Sequence, residues 1–365
     1  MNEKPVILTL DAGGTTFTFT ALQDEQPLID SFTLHAHSDD LDLSIETMIK
    51  GFYRVIDEIG TKPDAISFAF PGPADYKHGI IGDLPNLTGY RGGVPLGPIL
   101  EEEFQIPVYI NNDGDLFALG ESRSGFLPYV NELLERSGNP KRYKNLVGVT
   151  LGTGFGVGIS INGRLLQGDN SAAAEGWKLR NKQFNYTNIE DTISIKALKR
   201  IYAEQIAISP ENAPDPVDLA RIAKGEIEGV QPAAREVFLR FGDALGDALA
   251  HLTTIVDGLI VIGGGVSGAY DLFSGAMLDE MNGYFTSLNG IKQPRLLQKV
   301  YNLENSWQTQ EFTTTEHAVI VTNKRLKRKV YYQPEKKTGI GLSRLGTSKA
   351  ISLGAYHFAM NRLTE

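Results

Sequence analysis

The chain has 365 residues, of which 41% are hydrophobic and 22% charged, with 39 glycines and a formal net charge of −9; this describes a globular α/β protein, long enough to divide into two domains. Its acidity argues against broad electrostatic capture of nucleic acid or anionic lipid, so a phosphate ligand would have to be held locally. With no cysteine the chain excludes disulfides, thiolate zinc sites and cysteine nucleophiles, and without a leader or an apolar run of roughly 20 residues it is expected in the cytoplasm, away from membranes.

In chain order, the apolar run 6–10 ends at Asp11 and a Gly-Gly pair, after which FTFTAL resumes the alternation of a strand, so the opening predicts a β-hairpin. Apolar residues at helical spacing predict a helix over 44–59, stopped by Gly60. A buried strand follows at 65–70, then a Gly- and Pro-rich loop over 79–98, a short helix to Phe104 and a strand at 108–110 that empties into NNDGD. The second half repeats the opening theme: a strand at 146–151, a glycine turn at 152–156 and a returning strand at 157–161 closed by Asn162-Gly163. Two strand–glycine–strand units imply duplicated halves. A helix is expected over 232–256, a buried strand in LIVIGGGVS, and a final helix over 348–362. Residues 291–345 lack a helical period, and 317–333 read as a β-hairpin whose basic run, Lys324 to Lys329, lies on an exposed strand with lysines guarding the sheet edge. The alternative for that run is a nucleic-acid contact.

Three glycine clusters carry the candidate chemistry. Asp11-Ala12-Gly13-Gly14-Thr15-Thr16 sets a carboxylate beside a turn whose backbone N–H groups are unscreened by side chains. Such a turn cradles phosphate oxygens, and Asp11 would then hold Mg²⁺, through water given how reluctantly that ion dehydrates. Gly152-Thr153-Gly154 follows the same logic, and Gly264 with Gly265 would let a purine or ribose lie against bare backbone. Each cluster alone is also explained as a plain turn. None is a Walker A loop or a GxGxxG opening a helix.

The order of the three, with Asn112-Asp113 between the first two, resembles the ROK sugar kinases of the actin/hexokinase/Hsp70 ATPase superfamily. DAGGTT, LGTGFGVGISING and VIGGGVS are similar to the family's two phosphate motifs and its adenosine motif; PNLTGYRGGVPL and PVYINNDGDLFALGE are similar to its sugar loop and catalytic segment. The resemblance implies an α/β fold of two ribonuclease-H-like, actin-like domains with a cleft between them: 1–116 with 348–365, and 117–347 with a β-rich insertion near 291–345. It implies transfer of a phosphoryl group from ATP, with Mg²⁺, to a hydroxyl of a hexose or N-acetylhexosamine, in a homodimer that binds a small sugar and no nucleic acid. Family members that repress transcription carry a DNA-binding domain ahead of the first motif; here that motif begins at Asp11.

Asp113 falls on the family's catalytic base, which takes the proton of the attacking hydroxyl; a helix cap at the strand end is the structural alternative. Asp115 is the competing carboxylate. Asn86 and Asn112 match sugar contacts or are ordinary loop asparagines. Ala174-Glu175-Gly176-Trp177 resembles a Glu-x-Gly-His segment whose histidine binds sugar and a structural zinc; here Trp177 replaces it, either stacking on a sugar face or packing in the core. Residues 188–194 resemble the segment that carries a second sugar-binding glutamate, at Glu190. The resemblance with these changes implies loss of the zinc with retention of Glu175 and Glu190. Thr16 stands where the family commonly has Lys, which shifts phosphate neutralisation onto Mg²⁺ and backbone N–H groups. Those two departures leave a second reading open, a sugar-binding regulatory protein weakened in catalysis.

Overall fold

The computed structural model describes residues 4–84, 87–315 and 319–365, apart from the side chain of Tyr331. The chain divides into two compact units: residues 1–125, 158–174 and 345–365 form the first, and 126–157 with 175–344 the second.

The first unit begins with β1 (Ile7–Ala12), β2 (Thr16–Gln23), β3 (Gln26–Pro27) and β4 (Phe32–His35). Then come α1 (Leu41–Ile59), β5 (Ala65–Ala69), β6 (Ala74–Asp75), β7 (Ile80–Ile81), α2 (Leu96–Phe104), β8 (Val108–Asn111) and α3 (Asp113–Arg123). Its main sheet runs β3-β2-β1-β5-β8, with β4 also on β2. Antiparallel β1 and β2 make the expected hairpin, whereas β5 lies parallel to β1 and β8 parallel to β5. Helix α1 starts where the Asp40 side chain accepts from the Leu43 N–H and stops at Gly60, whose φ of 65° closes the last turn. It covers one face of the sheet with Met48, Phe52 and Val55, all fully buried. Gly51 permits this: a Cβ there would sit 2.2 Å from the Phe19 ring.

The other face is covered by α3 and the terminal helix Thr347–Leu363, which cross at van der Waals distance. A Cβ on Gly120 would meet the Ala350 carbonyl oxygen at 1.9 Å, and one on Gly354 the Leu116 carbonyl oxygen at 1.9 Å. The crossing fixes the axis of α3, and with it the position of Asp113 at its first turn.

Beyond α3 the chain continues through α4 (Phe126–Arg136), β9 (Asn145–Leu151), β10 (Phe155–Ile161), β11 (Arg164–Leu165), α5 (Ile195–Ile206) and α6 (Pro216–Lys224). After them come α7 (Gln231–Val256), β12 (Leu259–Gly263), α8 (Tyr270–Met281), β13 (Tyr284–Thr286), β14 (Lys292–Pro294) and β15 (Gln298–Asn302). The second unit closes with α9 (Ser306–Thr313), β16 (Val319–Val321), β17 (Val330–Tyr332) and β18 (Lys336–Leu342). The division between units passes through β10 and leaves β11 on the side of the first. The second sheet runs β11-β10-β9-β12-β18-β15. Apart from the additional strands β4 and β15, its order is that of the first sheet: a glycine hairpin, then two parallel strands beyond it. The duplication expected from the motifs is thus present in the topology.

Three expectations are corrected. The second glycine turn is shorter than 152–156, because β10 already begins at Phe155. The 291–345 segment holds a helix, α9, capped by the Asn305 side chain; among its eight residues only Phe312 and Thr313 are buried, too few to show a period. The basic run is no strand edge: pairing ends at Val321 and Val330, so Lys324 to Lys329 form the exposed connection between β16 and β17.

Candidate active site

Strand register groups the candidate residues of the first unit. Asp11 on β1 lies beside Ala69 on β5, and Ala69 beside Asn111 on β8, which places Asp11 and Asn111 two strand spacings, about 10 Å, apart. Asn112 then leaves the sheet and caps α3, its Oδ1 accepting from the Gly114 N–H at 2.8 Å while its Nδ2 donates to the Tyr76 hydroxyl at 3.4 Å. The cap proposed for Asp113 is therefore carried by Asn112. Asp113, the first residue of the helix, accepts from the Gly114 N–H at 2.8 Å and keeps an exposed side chain. Although the residue is exposed, its carboxylate stands among dense protein. Burial pushes its pKa up; the two backbone N–H bonds at Gly114 and Asp113 pull it down, and the charge of Asp11 pushes it up further. The Asp11 pKa is also raised by burial. Asp115, half-buried on the same helix, lacks this exposure.

The Asp11 turn is built for approach from outside. The Gly13 N–H donates to the Thr16 carbonyl at 3.0 Å, closing the hairpin, while a Cβ on Gly14 would meet nothing within 4 Å. Gly14, Thr15 and Thr16 are exposed. Asn86 lies outside the described residues.

In the second unit the turn at Gly152 to Gly154 has an open and a closed side. Gly152 has free space at its Cβ position and Thr153 is exposed. Gly154 is instead pressed against Glu190: an added Cβ would lie 2.5 Å from the carboxylate oxygen. That same Oε2 accepts from the Phe155 N–H at 2.8 Å. Glu175 and Glu190 sit on two segments joined by backbone hydrogen bonds from Ile189 to Leu179 and from Asn181 to Thr187. The hub is Asn181, fully buried. Its Oδ1 accepts from the N–H groups of Gln183 and Phe184, at 2.9 and 3.2 Å, and its Nδ2 donates to the Asn188 carbonyl and the Thr192 hydroxyl, at 3.2 and 2.8 Å. Trp177 donates its indole N–H to the Glu175 carboxylate, and the Lys178 ammonium covers its ring 3.9 Å from the centroid. Trp177 is half-buried, so it is not a core tryptophan.

The third cluster also combines packing with openness. Gly264 has a φ of 87° and would drive a Cβ to 2.3 Å from the Leu151 carbonyl oxygen, which ties the β12 turn to the end of β9. Gly265 and Gly268 face open space and line a cavity of about 220 Å³ whose opposite wall is α6, through Val217, Ala220 and Arg221. That wall escaped the sequence reading, although Asp215-Pro216 is a helix-start signal. Tyr76 and Asn181 were missed as well; a lone Tyr or Asn gives no signal before its partners are known.

Residues 7–305 match the model of the ROK family. The chain belongs to the ROK family. Over 99% of its length it is 46% identical to a glucokinase from Parabacteroides distasonis ATCC 8503, of which 98% is covered, and the crystal structure of that protein superposes with a TM-score of 0.88. A glucokinase from Thermotoga maritima is 24% identical over 298 residues, 77% of this chain and 88% of that protein. An N-acetyl-D-glucosamine kinase from Photobacterium profundum is 26% identical over 276 residues, 70% of this chain and 83% of that one. The ROK chain described here has the α/β, actin-like fold of these sugar kinases and carries none of the family's zinc-binding cysteines.

Proposed function

We propose that this ROK sugar kinase transfers the γ-phosphoryl group of ATP to a hydroxyl of a hexose or N-acetylhexosamine, with Asp113 as the general base. The observation that carries the reading is the state of Asp113. It is the exposed first residue of a helix whose cap is supplied by its neighbour, and its proton affinity is raised by burial and by Asp11. A carboxylate in that state accepts a proton from a hydroxyl more readily than an ordinary surface aspartate does.

The other groups divide the remaining work. The open backbone at Gly14 and Gly152, with the hydroxyls of Thr15, Thr16 and Thr153, receives phosphate oxygens; Gly13 and Gly154 shape the turns. Asp11 is the donor suited to Mg²⁺, through water, since its exposed carboxylate has a raised pKa that a cation would relieve. The ion would neutralise charge on the phosphates. The cavity walled by Gly265, Gly268 and α6 takes the adenosine, with Gly264 shaping the turn beside it. Glu190, fixed by the Phe155 N–H, and Glu175, held by Trp177, orient the sugar hydroxyls together with Asn112 and Asn86. With Lys178 across one face of its ring, Trp177 positions Glu175 and has its other face for a sugar.

The test is a coupled ADP-release assay over glucose, fructose, mannose, allose and the N-acetylhexosamines, each with ATP and Mg²⁺. Turnover is expected with at least one of them. Sugar binding in calorimetry without ADP release from any of them would overturn the reading in favour of a regulatory protein.

A further inference from the structure

Strands β9, β12 and β18 are parallel and begin at Asn145, Leu259 and Lys336. The glycine motifs follow the opposite ends of β9 and β12, so the beginning of β9 lies about 20 Å from them. At these starting ends the second unit has a cavity of about 760 Å³, within the range that holds small metabolites.

Three properties of its walls specify a ligand. The first is charge. In a chain of net charge −9, Lys141, Lys336 and Lys337 converge on one cavity, and among the described residues Glu335 is the one acidic residue lining it. Neither Lys141 nor Lys336 has a carboxylate within ion-pair distance among the described residues; their ammonium groups lie 4.5 and 5.6 Å from the centroids of the Tyr143 and Tyr332 rings. Burial pushes the Lys141 pKa down, Asp257 draws it up, and the two neighbouring lysines push it down. The second property is a built floor. Tyr143 and Phe312 stack with centroids 5.7 Å apart. The Tyr143 hydroxyl donates to the Lys337 carbonyl at 2.5 Å, and the Lys337 ammonium donates to the carbonyls of Glu311 and Thr314, at 2.5 and 3.3 Å. The third is Gln333, whose buried side-chain nitrogen has no hydrogen-bond partner among the described residues, a deficit that an acceptor on a ligand would remove.

We propose that this cavity is a second ligand site, taking a small organic phosphate of sugar-phosphate or nucleoside-monophosphate size. Lys141 and Lys336 bind the dianion as point charges, Lys337 being held by the floor carbonyls and Glu335; the aromatic and apolar walls bind the organic body, and Gln333 donates to one of its oxygens. The cavity is too large for inorganic phosphate to be its full occupant. The inference does not depend on the catalytic reading, since no residue here belongs to the glycine motifs or the carboxylate loop.

Isothermal titration calorimetry on the full chain tests it, with glucose 6-phosphate, fructose 1,6-bisphosphate, AMP and sodium phosphate as probes. Saturating glucose and a non-hydrolysable ATP analogue are present to occupy the catalytic site. One organic phosphate is expected to bind with 1:1 stoichiometry, at least tenfold more tightly than sodium phosphate. Its affinity is expected to fall at least tenfold in the Lys141→Ala/Lys336→Ala double variant. An Ile320→Trp variant, which fills the cavity without touching its charge, is expected to lose it likewise, and both should keep the wild-type unfolding midpoint and ADP-release rate. Absence of binding by every organic phosphate, binding unchanged in both variants, or a preference for sodium phosphate would each overturn the proposal. Because the readout is binding to variants outside the catalytic site, failure here and failure of the kinase reading are separable.

Discussion

Replacing Asp113 by Asn separates catalysis from folding at this position. The first turn of α3 does not need the charge: Asn112 caps the helix, and the amide oxygen of the replacement would still accept from the Gly114 N–H that Asp113 engages. What disappears is the acceptor for the substrate proton. A positioned base is worth about 10²–10⁴-fold, or roughly 3–5 kcal/mol of barrier, so kcat should fall by that factor while KM for ATP changes little. The stability effect has the opposite sign. Because the folded state raises the Asp113 pKa, the group favours folding most below the ordinary carboxylate pKa, and that contribution is lost as pH rises through the folded value. At neutral pH the ionised side chain opposes folding, and the neutral amide removes that cost. Asp113→Asn should therefore match or exceed the wild type in thermal stability at pH 7, with the advantage shrinking on acidification. For the same reason the acidic limb of the wild-type kcat/KM profile should lie above the range of an ordinary aspartate. The assays are coupled ADP release and thermal unfolding, each over a pH series. Activity within tenfold of wild type would refute the base assignment. A large loss of stability at pH 7 would refute the argument that the carboxylate is held against its solvation.

Gly154→Ala places a Cβ 2.5 Å from the Glu190 carboxylate, and a displacement of about 1 Å there should cost roughly 10²-fold in kcat/KM for the sugar, measured by steady-state kinetics, with ATP affinity nearly unchanged. Gly120→Ala should lower the unfolding midpoint, by about 1–3 kcal/mol or more of stability, because the methyl group would meet the Ala350 carbonyl at 1.9 Å in a crossing that cannot open without moving α3. His357, buried beside Ser124 Oγ at 2.7 Å, has its pKa lowered to about 4, since burial and Arg123 outweigh the attraction of Glu25. The unfolded chain takes up this proton near pH 6.5, so up to about 3 kcal/mol of stability should drain away as pH falls from 6.5 to 4, and His357→Gln should flatten that part of the stability curve in denaturant titrations.

The parts legible in the sequence were those specified by neighbouring residues. Helix α1 has its stop at Gly60 and an apolar stripe before it, although its start, capped by Asp40, lies three residues ahead of the expected one, and each hairpin has its glycines within two strands of alternation. What could not be read depended on partners distant along the chain. Gly14 and Gly154 look alike in a motif, yet one faces open space and the other faces a glutamate 36 positions later. Asn181 is indistinguishable from a loop asparagine until four groups between Gln183 and Thr192 converge on it. The basic run misled because charge alternating with Leu326 and Val330 mimics a strand, whereas the backbone pairing of this exposed hairpin ends at Val321 and Val330.

The duplicated halves use one turn in two ways. In the first, β1 ends in Asp11 and its glycine turn stays open, which leaves both a carboxylate and bare backbone for an outside ligand. In the second, β9 ends in Leu151, and the turn commits one of its N–H groups, that of Phe155, to the chain's own Glu190. An N–H that could have met phosphate is thereby used to fix a carboxylate. The loop that delivers Glu190 has no cysteine to bind a metal, and the four hydrogen bonds of the buried Asn181 amide hold its two segments together instead. Those bonds are short-range and directional, so they hold the loop only while it stays dry, which is consistent with the complete burial of Asn181 and Ile189 beneath it. The position of Glu190 is thus set from two sides, by the glycine turn above and by the asparagine hub below. A loop so constrained presents the Glu190 carboxylate in a fixed position, provided Gly154 remains a glycine.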